Sequence, residues 1–101
     1  MNQQAMLRKV RQMQQEMMRA QAEIEQTESR ESAGGVVTVV VMGTKELAQV
    51  IIDPSFEAES AEDFEMLGDM ITAACSNAYK RIEKMTEEKL GKYQSLLGGM
   101  M

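Results

Sequence analysis

The chain has 101 residues, 44% of them hydrophobic and 27% charged, with one cysteine, no histidine and a net charge of −5. That length suits one domain with a thin core, which a second copy of the chain would help close. The lone cysteine excludes an intrachain disulfide and fits a reducing compartment, and the lack of histidine excludes Ser-His and Cys-His catalytic pairs and ordinary zinc ligation.

The first predicted element is a helix over residues 2–26, uninterrupted by Gly or Pro. Met6, Val10, Met13, Met17, Ala20 and Ile24 recur at spacings of 4, 3, 4, 3 and 4, an apolar stripe on one face. Such a helix runs about 37 Å. A compact domain of this length is only about 26 Å across. The helix is therefore expected to project as an arm. Arg8, Lys9, Arg11 and Arg19 lie off the stripe. Bases early and Glu23 and Glu25 late oppose the helix dipole, which suggests that the bases are placed for a partner.

Residues 27–33 are polar and read as a short edge strand, closed by the Gly34-Gly35 turn. Val36 to Met42 is the clearest strand, and residues 46–52 the next, joined by Gly43-Thr44-Lys45 and ended by Asp53-Pro54. The Val-rich strand is apolar on both faces. Helices of the same chain can cover one face, and a second protomer is expected on the other. Ser60 and Asp63 suggest a capping box opening a C-terminal helix. Leu67, Ile71, Ala74, Ala78, Ile82 and Met85 form its stripe, with a stop or bend expected at Gly91. The expected organisation is one α+β domain: helical arm 1–26, three-stranded antiparallel sheet 27–56, C-terminal helical region 60–91 and flexible tail 97–101.

Net charge hides an uneven distribution. Residues 1–22 carry +3, residues 23–31 carry −3, residues 45–69 carry −7 and residues 80–92 carry +2. Beyond a Debye length of about 8 Å these regions act separately, so the acidic total does not exclude DNA. Lys80, Arg81, Lys84, Lys89 and Lys92 form a second basic group that could neutralise phosphates from a helix face. Little else carries chemistry. Cys75 reads as a small core residue. The acidic run from Glu57 to Glu65 lacks calcium-loop spacing and reads as a solvated helix start. No phosphate loop follows Gly34-Gly35. An enzyme, a bound metal and a cofactor are not expected. Neither a signal peptide nor a membrane span is expected, and the expected location is the cytoplasm.

Several pieces in order resemble the YbaB/EbfC family of bacterial nucleoid-associated proteins. They are Gln12-Met13-Gln14-Gln15-Glu16-Met17, Gly34-Gly35 before a Val-rich strand, Gly43 in the hairpin, Val50-Ile51-Ile52-Asp53-Pro54-Ser55, and Ala73-Ala74 and Asn77-Ala78 followed by Lys80-Arg81. Family members often carry Lys where this chain has Met17-Met18. The resemblance implies a tweezer-like homodimer in which the sheets join and the long helices project. It also implies double-stranded DNA as partner, a place in the nucleoid, and a role in chromosome organisation or gene regulation. The expected DNA contacts are Arg8, Lys9, Arg11, Arg19, Lys80, Arg81, Lys84, Lys89 and Lys92. A second reading is a scaffold whose Met-rich arms clasp a helix of a recombination, DNA-repair or replication protein. That reading needs Met6, Met13 and Met17 exposed.

Overall fold

A computed structural model describes residues 2–98. Helix α1 spans Gln3–Gln26. Asn2 caps it, its side-chain oxygen accepting from the Ala5 amide at 2.7 Å. Thr27 closes it. Its amide donates to the Ile24 carbonyl and its hydroxyl to the Glu23 carbonyl at 2.7 Å, satisfying two of the orphan acceptors of the last turn.

Strands β1 (Glu28–Ala33), β2 (Val37–Met42) and β3 (Leu47–Ile52) follow as an antiparallel sheet in the order β1-β2-β3. Ser29 opposes Val41, Glu31 opposes Val39 and Ala33 opposes Val37. Across β2, Val37 opposes Ile52 and Val39 opposes Val50, and a shift after Val40 then skips Ala48 so that Val41 meets Leu47. Gly34 and Gly35 turn β1 into β2 with φ of +61° and +67°, two successive left-handed residues that only glycine adopts cheaply.

Helix α2 spans Ala61–Gly98, with Glu62 and Asp63 in its first turn as the dipole prefers. The capping residue reaches one position further than expected, because Asp63 accepts from the Glu59 amide at 2.7 Å. The stripe read from the sequence is the face that packs. Ala74, Ala78 and Ile82 bury against Val37, Val39 and Val41, with Leu67, Ile71 and Met85 at the margins. Burying one such Val or Ile contributes about 1.5–3 kcal/mol, so this row carries most of the body's stability. Cys75 is half-buried beside it, as a core residue should be.

Two expectations are corrected. Gly91 does not stop the helix, and α2 continues through 97–98, where a tail was expected; residues 99–101 lie outside the described residues. A helical glycine costs about 1 kcal/mol relative to alanine. Tyr93, two residues on, outweighs that cost. It is buried, and its hydroxyl donates to Glu16 of α1 at 3.4 Å. The second correction concerns β2. Its outward-facing Val40 is already buried as the central strand of the sheet, opposite Arg30 and Gln49. The uncovered apolar surface lies instead on β3, because α2 packs over β1 and β2 and leaves β3 aside. Leu47, Val50, Ile51 and Ile52 are all exposed.

Glu16–Tyr93 and Glu23–Lys89 place α1 antiparallel to the last turns of α2. The two helices form one arm within a single protomer. The molecule measures 72 × 22 × 15 Å with a radius of gyration of 20.1 Å. A compact chain of this length would have about 13 Å, so the projecting arm is real.

Loop chemistry is local. Asp53 accepts from both the hydroxyl and the amide of Ser55, at 2.6 and 2.8 Å, and these bonds hold its carboxyl below the usual range. In the β2–β3 turn, Lys45 adopts φ +73°, and Tyr79 donates to its carbonyl at 3.2 Å. A non-glycine residue in that region costs about 1 kcal/mol. Lys45→Gly is therefore expected to raise stability by about 0.5–1 kcal/mol in a urea melt; a loss instead would mean that the turn carries no strain at this position.

Candidate nucleic-acid interface

The nine predicted contact residues fall into three settings. Arg8, Lys9, Arg11 and Arg19 are exposed along α1 and make no ion pair among the described residues. Lys80 and Lys84, four residues apart on α2, are likewise exposed and unpaired among the described residues. The other three are engaged. Arg81 Nε lies 2.5 Å from Glu31 Oε1, a charge contact without the alignment of a hydrogen bond. The guanidinium stays largely in solvent, so the pair is screened and contributes little. Lys89 is half-buried and donates to Glu23 on α1 at 3.3 Å. The Lys92 ammonium sits 4.9 Å above the Tyr93 ring. Lys80, Lys84 and Arg81 therefore share an outer surface of α2, whereas Lys89 turns inward to hold the arm together.

The acids of the arm sort the other way. Glu16 accepts from Tyr93 and from Gln12, at 3.4 Å each, and Glu23 accepts from Lys89. Two of the carboxylates on α1 are thus occupied by internal partners while its four bases stay free. Between residues 2 and 15 α1 carries Arg8, Lys9 and Arg11 and no acid. This end of the arm offers a positive field to a polyanion.

Reading charges alone misses the neutral side chains between the bases. Leu7, Arg11, Gln14 and Met18 recur at 4, 3 and 4 residues and are all exposed. Their spacing repeats that of the apolar stripe, one residue out of step, and this was the available signal. The stripe itself is mostly used up. Val10, Met13, Met17 and Ala20 are half-buried, Ile24 is buried, and only Met6 is open. A Met-lined groove for a partner helix is not formed, and the scaffold reading loses its surface.

Among the described residues no group of three His, Cys, Asp or Glu side chains is placed to hold a metal ion, and no helix is long and apolar enough to cross a membrane.

Comparison with known proteins identifies the family. The chain is 38% identical over 99 residues to a nucleoid-associated protein of Saccharopolyspora erythraea, covering 97% of this chain and 84% of that one. It is 38% identical over 100 residues to a nucleoid-associated protein of Roseiflexus sp. (strain RS-1), covering 99% and 95%. A crystal structure of an uncharacterized protein from Helicobacter pylori shares the fold, with a TM-score of 0.65 at 23% identity over 99% of this chain and 97% of that one. The family match extends over residues 1–99, and on that span, with relatives of this identity, the chain belongs to the YbaB/EbfC DNA-binding family.

Proposed function

We propose that the protein is a homodimer that holds duplex DNA through phosphate contacts from its arms, in the bacterial nucleoid, where it organises the chromosome or regulates genes. The observation that carries this reading is the free basic surface of α1, with Arg8, Lys9, Arg11 and Arg19 exposed while Glu16 and Glu23 are held internally. Lys80, Arg81 and Lys84 extend it along α2, and Lys89 and Lys92 stiffen the arm more than they reach outward. The names of the relatives support nucleoid DNA as the partner. The exposed apolar strip on β3, at an unpaired sheet edge, supports the dimer, since such an edge is normally blunted or covered.

Titration of the intact protein against a short labelled duplex at several salt concentrations tests it. Affinity should fall steeply with salt, with a log–log slope of about 0.9 per phosphate neutralised. Arg8→Ala, Lys9→Ala and Arg11→Ala combined should weaken binding and flatten that slope while the mass stays that of a dimer. Unchanged affinity in the triple variant would remove α1 from the interface.

A further inference from the structure

We infer that the outward ridge of α1 reads base edges in the major groove, with Arg11 directed to guanine, Gln14 to adenine, and Leu7 and Met18 against thymine methyl groups. This rests on the DNA-binding reading above and specifies what the arm adds to phosphate contact.

The ridge is free on geometric grounds. α1 packs on α2 through the side that carries Glu16, Glu23 and Ile24. Leu7, Arg11, Gln14 and Met18 lie one residue out of step with the half-buried stripe, about 100° round the helix, on an exposed side. Leu7 and Met18 are 56% and 72% exposed, an unusual state for large apolar side chains that flank a polar pair. From Leu7 to Met18 the ridge is about 16 Å long, close to the rise of five base pairs. A helix of ordinary diameter fits the major groove, where each base pair presents its own donors and acceptors.

The residue types match that surface. Arg can donate two hydrogen bonds to guanine O6 and N7, and Gln can donate to N7 and accept from N6 of adenine. Apolar side chains suit the thymine methyl. Arg8 stands one residue inside the first end of the ridge and Arg19 one residue beyond the last, and both are exposed. They are spaced to hold phosphates beside the groove while the ridge enters it. Arg11 accordingly moves from the phosphate contacts to the base contacts. No acid lies on the ridge, and Glu16, the nearest in sequence, is turned away by Tyr93. Two exposed apolar side chains separated by Arg and Gln make too small and broken a surface to seat a partner helix or a membrane face.

The experiment is selection from a randomised duplex library with the full-length protein, repeated with Arg11→Ala, Gln14→Ala and the Leu7→Ala/Met18→Ala pair, with the mass of each protein measured in parallel. Alanine is the best helix former, so these exposed sites should keep the fold. The wild type should enrich a short motif of about five base pairs. Gln14→Ala should lose its preference at one adenine, and Arg11→Ala at one guanine, by about tenfold each. Both variants should stay dimeric, and Gln14→Ala should keep binding unselected DNA. A wild type that binds DNA but enriches no motif would overturn base reading and leave phosphate binding standing. Variants that enrich the wild-type motif unchanged would also overturn it. Loss of dimer mass in the Leu7/Met18 pair would make the ridge a face between copies of this chain and overturn it. Failure of the wild type to bind DNA at any salt would remove the earlier reading together with this one.

Discussion

If the proposed dimer forms through β3, Val50→Glu combined with Ile52→Glu is expected to convert it into monomers and to lower duplex affinity by about two orders of magnitude. Both side chains are on the edge strand β3, on the sheet face that α2 covers over β1 and β2 but leaves open over β3, and both are exposed in the single protomer. Charges there cost the protomer little, since substitutions at exposed positions away from special features usually stay within about 0.5 kcal/mol. They would cost an interface a great deal, because a two-fold contact at β3 would bury both copies of each carboxylate without a cationic partner. In the proposed dimer two arms would bind as a linked pair, and separating them would remove the gain from effective concentration. Light scattering reads the mass, and the duplex titration reads the affinity. A variant that remains dimeric would place the interface elsewhere. A monomer with undiminished affinity would mean that each arm binds DNA alone.

The fold was legible where periodicity was strong. The spacing from Met6 to Ile24 identified α1 and its over-long reach, and the Leu67 to Met85 spacing identified the face of α2 that meets the sheet. Two features were not legible for the same reason, which is that tertiary contact overrode a local signal. Gly91 is a breaker by propensity, but Tyr93 docks on α1 and carries the helix past it. Val36 to Met42 looks as though one face must await a partner, but β1 and β3 on either side bury Val40 without one.

The site was legible in part. Charge placed the candidate bases on two helices, α1 and α2, and four of them stand free on α1. Charge could not distinguish a base that reaches outward from one that closes an internal pair, because that depends on what the neighbouring helix offers. Lys89 meets Glu23, 66 positions away in the chain, and no local spacing records that pairing. The neutral ridge through Gln14 was written in the sequence at helical spacing, but it gained meaning only once α2 was seen to occupy the other side of α1.

Gly43→Ala should be strongly damaging, lowering stability by about 3–5 kcal/mol. The Gly43 amide donates to the Thr27 carbonyl at 2.9 Å, tying the β2–β3 hairpin to the end of α1. A Cβ at this position would lie 1.6 Å from the Ile24 carbonyl oxygen and 2.5 Å from its carbon. Backbone atoms cannot swing aside as a side chain does. The hairpin would have to lift, stranding the Gly43–Thr27 bond and opening the cover over buried Ile24. Net stability of a domain is only about 5–15 kcal/mol, so the loss would reach roughly a fifth of it or more. Gly35→Ala provides the control. Nothing lies within 4 Å of the Cβ it would add, and only its φ of +67° resists substitution. That costs about 1 kcal/mol. Urea denaturation of both variants separates close approach from backbone strain. Equal losses would mean that the hairpin moves freely, and would remove the seam as the anchor of the arm. A much larger loss at Gly43, with weaker DNA binding under conditions where the variant is still folded, would place the arm's orientation under the control of this one contact.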